Sequence, residues 1–179
     1  MTATKPYVLA LTSSKGGVGK STLAVNLAGA LASRGATVLL DADTAIQTSG
    51  EWAIRGRLPV TVIPDSSSVP TGTRYVVVDT EGRPDLAEMV ELSHGADVVL
   101  VPRMEAIRVV VTKAPPVGSV GQAARDELRA AGYPVCSAVI RRYTAHERAH
   151  EQGVLVRDAA DPKSEMAWAD ILSLALEIC

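Results

Sequence analysis

Short apolar runs alternate along the chain with segments that have the periodicity of helices. Runs rich in valine, leucine and isoleucine predict β-strands at residues 7–14, 36–43, 60–64, 75–80, 97–102, 108–113 and 134–140. Several of these runs are continuously apolar, which is typical of parallel strands buried on both faces. Helical patterns lie between them or close the chain, at residues 21–35, 84–95, 121–132 and 164–178. The alternation predicts an α/β fold with three layers, in which a mostly parallel sheet carries helices on both faces.

One connection is too short for this fold, namely the one between the strands predicted at 97–102 and 108–113. A parallel crossover needs roughly a dozen residues or more, usually including a helix. Three explanations are open: the two strands form a hairpin, one of the runs is not a strand, or the crossover helix is missing from this sequence. We favour the missing helix and base no argument on residues 103–110.

Composition and charge predict one globular domain. The chain has 179 residues, of which 47% are hydrophobic, and a formal net charge of −2, which excludes a strongly basic tail for nucleic acid. Cys136 and Cys179 have neither a disulfide pattern nor metal-ligand spacing, which favours a reducing compartment. The N-terminal residues do not resemble a signal peptide, and no apolar run is long enough to cross a bilayer. We therefore expect a cytoplasmic protein.

The segment SSKGGVGKST, residues 13–22, follows a predicted strand and opens a predicted helix. It differs from the usual phosphate-loop pattern at one position, because Ser14 stands where the first glycine is expected. Gly16, Gly17 and Gly19 allow backbone N–H groups to turn towards an anion, and the start of the helix adds its positive end to the same point.

The side chains that follow these glycines suit a nucleotide and its magnesium ion. Lys20 would reach the terminal phosphates, the hydroxyl of Ser21 is placed to ligate Mg²⁺, and Thr22 could hydrogen-bond the α-phosphate. Val18 completes the nucleotide-binding segment from Gly16 to Thr22. A plain glycine-rich turn is the alternative, against which the lysines and the Ser-Thr pair argue. The loop predicts ATP and Mg²⁺ as cofactors.

The stretch KGGVGKST resembles the deviant Walker A motif of the ParA/MinD ATPases. In that family the early lysine, here Lys15, is the signature lysine, which reaches across a nucleotide-sandwich dimer to the phosphates held by the other subunit. The resemblance implies that Lys20 serves its own phosphates, whereas Lys15 neutralises charge that develops on the partner's nucleotide. It therefore implies an ATP hydrolase that forms an ATP-dependent homodimer and uses hydrolysis as a switch.

Two strand ends predict carboxylates beside the loop. Asp41 and Asp43 end the run VLLDAD at the sheet edge where such folds bind ligands, and period-two alternation puts both on one side of the strand. The resemblance gives Asp43 the role of positioning the attacking water and Asp41 that of supporting Mg²⁺ and its waters. Asp79, which ends the run YVVVD, resembles the Walker B acid and is expected to bind magnesium through water. Strand-end aspartates that cap a following turn or helix are the alternative.

The second half of the chain carries weaker signals. Arg141, Arg142 and Arg148 lie in a stretch that resembles the family's region after its last strand, where DNA-binding members place basic residues. The resemblance implies contacts to DNA phosphates without sequence preference, and solvated surface arginines are the alternative. Thr112 and Lys113, at a strand end, are candidates for contacting the base of the nucleotide.

The last third of the chain also bears on metal and membrane binding. His94, His146 and His150 are candidate metal ligands, of which His146 and His150 share a helix face, but no third ligand accompanies that pair, which favours surface histidines. No Lys or Arg follows Lys163, so the chain lacks the basic amphipathic helix with which MinD-like proteins bind membranes. The terminal pattern predicts instead a packed helix that carries Trp168 and Ile171 into the core.

The resemblance favours a small ParA-type ATPase that acts in plasmid or chromosome partitioning. It would hold non-specific DNA of the nucleoid when loaded with ATP, and a ParB-like partner would stimulate its hydrolysis. Two alternatives are a MinD-like or other cargo-positioning ATPase that does not act on DNA, and a small-molecule phosphotransferase of the same fold, such as dethiobiotin synthetase. Lys15 argues against the phosphotransferase, because that chemistry needs no lysine from a partner subunit.

Overall fold

A computed structural model describes residues 5–13, 17–43, 48–81, 87–88, 94–100 and 108–179 of the chain. The strands in these ranges are β1 Tyr7–Leu11, β2 Thr37–Asp41, β3 Thr61–Ile63, β4 Tyr75–Asp79, β5 Val98–Leu100, β6 Val109–Ala114 and β7 Val135–Arg141. The α-helices are α1 Lys20–Ala32, α2 Thr48–Arg55, α3 Val120–Ala130, α4 Thr144–Gln152 and α5 Ser164–Ile178. Each strand that the apolar runs predict is confirmed, with ends that differ by up to three residues.

The strands form parallel ladders, as the continuous apolar runs predict. Five of them pair in the order β3-β2-β4-β1-β5, and every pair is parallel. The other two, β6 and β7, form a second parallel ladder. The N–H of Arg108, just before β6, donates to the carbonyl of Val99 in β5 at 3.1 Å, so the second ladder begins beside the edge of the first.

Both faces of the five-stranded sheet are apolar. Along β1, Leu9 and Leu11 belong to the cluster that contains α1 and α5, whereas Ala10 belongs to a second cluster on the opposite face. Every residue of α1 from Leu23 to Leu31 is buried, because this helix contacts both the sheet and α5. Burial on both faces explains why these strands are continuously apolar.

Helices also cover both faces of the second ladder. Ala138 of β7 packs in the cluster that holds α5, while the next residue, Val139, faces α3. A Cβ added to Gly121 of α3 would lie 2.9 Å from Val139 and 2.7 Å from Ala114, so α3 packs closely on this side. Since successive side chains of a strand point to opposite faces, α3 and α5 lie on opposite sides of the ladder. The predicted three-layer α/β fold is confirmed.

The structure settles only in part the short connection between β5 and β6 and the helix predicted at 84–95. Residues 97–102 and 108–113 both contain strands, so the explanation in which one of these runs is not a strand is wrong. No ladder joins β5 to β6 among the described residues, and residues 101–107 lie outside them, so the missing helix stays a prediction. Of the helix predicted at 84–95, the structure describes residues 87–88 and 94–95, which are helical.

The C-terminal helix α5 is packed as predicted. Ile171 is fully buried, and Trp168 is half-buried beneath the guanidinium group of Arg157, which lies 5.1 Å from the ring centroid. The carboxylate of Glu177 accepts the backbone N–H groups of Ser137 at 2.7 Å and of Ala138 at 3.0 Å, and so caps donors of β7. In the part of the chain that the structure describes, no helix has the length and apolar character needed to cross a membrane.

Candidate nucleotide-binding site

The chain between β1 and α1 forms a turn whose backbone conformation is one that glycine adopts most readily. Gly17 and Gly19 have φ angles of 74° and 89°, in the left-handed region where a Cβ is disfavoured. Helix α1 begins directly afterwards at Lys20, and the first N–H groups of a helix have no acceptor within it. The turn therefore presents backbone donors and the positive end of α1 together, which is an arrangement that binds anions. Lys15 and Gly16 lie outside the described residues.

The turn borders a cavity of about 680 Å³, within the size range of small-molecule sites. The phosphate-loop side is lined by Gly17, Val18, Gly19, Lys20, Ser21 and Thr22. Asp43 lies on the same cavity, beyond the end of β2. The remaining wall comes largely from β6, β7 and α4, through Thr112, Lys113, Ile140, Arg141, Arg142, Tyr143, His146, Glu147 and His150.

The structure brings the three predicted aspartates to one edge of the sheet. Asp41 and Asp79 are register partners at the ends of the neighbouring parallel strands β2 and β4, and Asp43 follows two residues after Asp41. Their exposed fractions are 5% for Asp41, 8% for Asp43 and 0% for Asp79. Buried carboxylates need cations or hydrogen-bond donors, so this edge is electrostatically suited to a bound cation.

Lys20 and Asp79 form an ion pair beneath the loop. The Nζ atom of Lys20 lies 2.8 Å from Oδ1 of Asp79 and also donates to the carbonyl of Thr80. The hydroxyl of Ser49 donates to Oδ2 of Asp79 at 2.8 Å, so both carboxylate oxygens have a partner. A phosphate in the cavity would compete with Asp79 for the ammonium group of Lys20.

Asp41 is held by the start of helix α2. Its Oδ2 accepts the N–H of Gly50 at 2.8 Å, and its Oδ1 accepts the N–H of Asp43 at 3.3 Å. Burial raises the pKa of Asp41, the charges of Asp79 and Asp43 raise it further, and the two backbone hydrogen bonds oppose the rise. A divalent cation at this edge would relieve the repulsion among these carboxylates.

The donor set at the edge fits magnesium better than a metal enclosed by protein ligands. Among the described residues, no three His, Cys, Asp or Glu side chains lie close enough to hold a metal together. Mg²⁺ keeps several waters and binds through few protein oxygens together with the phosphates of its substrate. The hydroxyl of Ser21, which borders the cavity, would supply such a set together with Asp41 and Asp79, which would act through water from the strand ends.

Two donors at this edge, Ser49 and Gly50, are absent from the sequence-based prediction. They belong to α2, a helix of only eight residues with a glycine inside it. Trp52 also fixes this helix, since it is fully buried and its Nε1 donates to the carbonyl of Val154 at 3.1 Å. The signal in the sequence was a small hydroxyl residue followed by glycine shortly after Asp43.

Arg141, a candidate for DNA contact, is engaged inside the protein. Its guanidinium group binds the carboxylate of Asp170 with distances of 2.6 Å from Nη2 to Oδ1 and 3.0 Å from Nε to Oδ2. It also lies 5.3 Å from the ring centroid of Tyr143. Asp170 is the main cause of the raised pKa of Arg141, so this charge is strongly committed.

The other two arginines also have acidic neighbours. Nη1 of Arg148 lies 3.1 Å from Oδ2 of Asp161 and donates to the carbonyl of Ala160 at 3.0 Å. The side chain of Arg142 is 71% exposed, and its Nη2 lies 3.9 Å from Oε1 of Glu147. The three arginines therefore do not form one open basic patch, and their contact with DNA stays a prediction.

His146 is not the surface histidine that the sequence predicts. Neither of its ring nitrogens has a hydrogen-bond partner among the described residues, and both are buried at the wall of the cavity. Burial lowers the pKa of His146, and the charge of Asp170 offsets this only in part. His150 packs edge-on against Trp52, with ring centroids 4.9 Å apart. The surface prediction is confirmed for His94 alone.

We expect His146 to make the protein less stable in mild acid. Its pKa is lower in the folded chain than in the unfolded chain, so protonation below about pH 6.5 favours unfolding, by at most ~1.4 kcal/mol per pH unit. Replacing His146 by leucine should flatten the decline in the free energy of unfolding between about pH 7 and pH 5, measured by urea denaturation. The exposed His94→Leu change is the control. An equally steep decline in both variants would contradict the assignment.

A glycine-dependent anion turn, a helix start and buried acids at the ends of parallel strands define a P-loop nucleotide-binding protein. The profile of one family, described as the CobQ/CobB/MinD/ParA nucleotide binding domain, matches residues 9–156. The chain belongs to this family and is an ATPase of the ParA/MinD type.

The alignments with two similar proteins extend over almost the whole chain. The protein named maintenance of carboxysome distribution protein A of Gloeobacter kilaueensis is 33% identical over 205 residues, which include 97% of this chain and 94% of the relative. Its namesake of Halothiobacillus neapolitanus is 25% identical over 204 residues, with 90% and 94% covered. Both alignments are longer than the 179 residues of this chain, so they contain gaps in it. A missing crossover helix would leave such a gap.

Solved structures agree with the fold. A plasmid partition protein of Borrelia burgdorferi bound to AMPPNP has a TM-score of 0.69 and 16% identity, and covers 98% of this chain and 100% of its own. Apo McdA of Cyanothece gives 0.67 and 16%, with 96% and 100% covered. The cell division protein MinD of Aquifex aeolicus gives 0.66 and 18%, with 95% covered in each chain. At these identities the likeness concerns the fold alone.

Proposed function

We propose that this chain is a magnesium-dependent ATPase that positions a large cellular cargo by cycling between an ATP-bound dimer and separate subunits. The observation that carries the proposal is the 33% identity, over 97% of the chain, to a carboxysome distribution protein. That similarity favours the positioning of a protein assembly over the partitioning of DNA. A protein partner that stimulates hydrolysis, in place of a ParB-like one, belongs to the same proposal.

The phosphate loop binds the nucleotide in this proposal. Backbone N–H groups from Gly16 to Thr22 hold the phosphates, and Lys20 exchanges its contact with Asp79 for a contact with the terminal phosphates. Ser21 would ligate Mg²⁺, and the buried carboxylates of Asp41 and Asp79 would help to hold it at the sheet edge through water. A bound Mg²⁺ would neutralise charge at the phosphates.

Hydrolysis is assigned to two further residues. Asp43, buried at the cavity wall, orients the water that attacks the terminal phosphate. Lys15 reaches the phosphates held by the other subunit and stabilises the charge of the transition state there. Because the lysine comes from a second subunit, hydrolysis requires the dimer, and the loss of the terminal phosphate releases it.

Light scattering of the purified chain with Mg²⁺ and either ADP or ATP tests this proposal. We expect dimers with ATP and single subunits with ADP, and slow release of phosphate with no acceptor molecule added. Single subunits in every condition would contradict the switch, and turnover only with a small-molecule acceptor would favour the phosphotransferase. The electrophoretic mobility of plain duplex DNA, measured in the presence of the protein with and without ATP, shows whether the dimer binds DNA.

A further inference from the structure

Two side chains at the end of β6 contact the backbone of the phosphate loop. The hydroxyl of Thr112 donates to the carbonyl of Val18 at 3.2 Å, across 94 residues of sequence. The Nζ atom of Lys113 donates to the carbonyl of Gly17, across 96 residues. The side chain of Lys113 runs along the loop, since a Cβ at Gly19 would lie 3.8 Å from its Cε. We call Thr112 and Lys113 the β6 clamp.

The backbone of β6 is distorted where the clamp lies. Lys113 has a φ angle of 55°, the left-handed conformation, and among the described residues no other non-glycine residue has a positive φ. The register between β6 and β7 also shifts between Val111 and Ala114. Such irregularities re-aim side chains and persist only where the surrounding structure imposes them. Here they turn two consecutive side chains of one strand towards the same loop.

The contacts fix the direction of two amide groups. A trans peptide is planar, so its C=O and N–H bonds point in opposite directions. Holding the carbonyl of Gly17 fixes the N–H of Val18, and holding the carbonyl of Val18 fixes the N–H of Gly19. Both N–H groups belong to the phosphate loop, whose affinity for an anion depends on such donors being directed together.

We propose that the β6 clamp positions the phosphate loop, so that the N–H groups of Val18 and Gly19 are aimed at the nucleotide phosphates before the nucleotide arrives. This inference rests on the proposed function, because it requires that the loop bind ATP and ADP. Thr112 and Lys113 act through the loop backbone and are positioning residues. The rival role for Lys113 is direct contact between its ammonium group and the phosphates.

The Thr112→Val change separates the two roles. It removes one hydrogen bond, carries no change in charge and nearly preserves the shape of the side chain. If the clamp positions the loop, Thr112→Val should weaken ADP binding about fivefold, the effect of losing one hydrogen bond. If Lys113 only contacts phosphate, Thr112→Val should bind ADP as the wild type does, and the proposal is overturned.

The experiment is titration calorimetry of the full chain with Mg²⁺ and ADP, and with adenosine as a ligand that lacks phosphates. Thr112→Val and Lys113→Met should each lose about fivefold in ADP affinity, Lys113→Arg should retain most of it, and adenosine affinity should stay unchanged. The matched control is Lys5→Met, since Lys5 is exposed and does not line the cavity.

Each outcome decides between the proposals. An equal loss of affinity for ADP and for adenosine would mean that the clamp supports the fold in general, and would overturn the positioning role. A wild-type chain that does not bind ADP at all would overturn the proposed function instead. Thermal unfolding without nucleotide checks each variant, and if Lys113→Met fails to fold, Thr112→Val alone decides.

Discussion

Replacing Lys20 by methionine is expected to abolish ATP binding and to destabilise the folded chain at once. The binding loss follows from removing the cation that reaches the phosphates. The stability loss follows from Asp79, which is 0% exposed and whose carboxylate is paired with Lys20 at 2.8 Å. Removing one partner of a buried ion pair leaves an uncompensated charge and costs roughly 3 kcal/mol.

A second change separates the two effects. The double variant Lys20→Met with Asp79→Asn removes the buried charge, while the amide oxygen can still accept the hydroxyl of Ser49. We expect most of the lost stability to return, measured by urea denaturation, and ATP binding to stay undetectable by calorimetry. Lys5→Met, an exposed lysine, is the control. A Lys20→Met variant as stable as the wild type would show that the ion pair contributes nothing to folding.

The strands and the phosphate loop could be predicted because their signals are local. Continuous apolar runs mark parallel strands, and Gly17 and Gly19 mark backbone that other residues resist adopting. The meeting of Asp41 and Asp79 could also be predicted, because parallel strands end at a common edge. Each of these inferences needs a single stretch of sequence and one rule of geometry.

The features that the sequence did not predict depend on contacts between residues far apart in the chain. Ser49 reaches Asp79 only because Trp52 is packed against the residues around Val154, which no local pattern encodes. His146 has a polar side chain on a polar helix, and its ring nitrogens become buried through the packing of α4 against α2 and α5. In both cases the tertiary structure, and not the propensity of the segment, decides the environment of the side chain.

The Asp43→Asn change is expected to stop hydrolysis while leaving ATP binding intact. Asp43 is 8% exposed and lies on the cavity with the phosphate loop, where a carboxylate can orient a water molecule towards the terminal phosphate. An amide of the same shape lacks the negative charge that holds and orients the water, and the loss of such a group costs about 10²–10⁴-fold in rate. Since Lys20 and the loop remain, the affinity for ATP should change little. Asp126→Asn, an exposed acid outside the cavity, is the control.

The oligomeric state distinguishes this variant from a change at Lys15. Asp43→Asn keeps the cross-subunit lysine, so its ATP-bound dimers should accumulate, because the step that releases them is blocked. Lys15→Ala should also lose hydrolysis and bind ATP measurably, but light scattering should show single subunits. If both variants form stable ATP-dependent dimers, Lys15 does not act across the interface. If both stay single, Asp43 contributes to assembly in addition to hydrolysis, because the dimer then requires a group that the proposal assigns to the water alone.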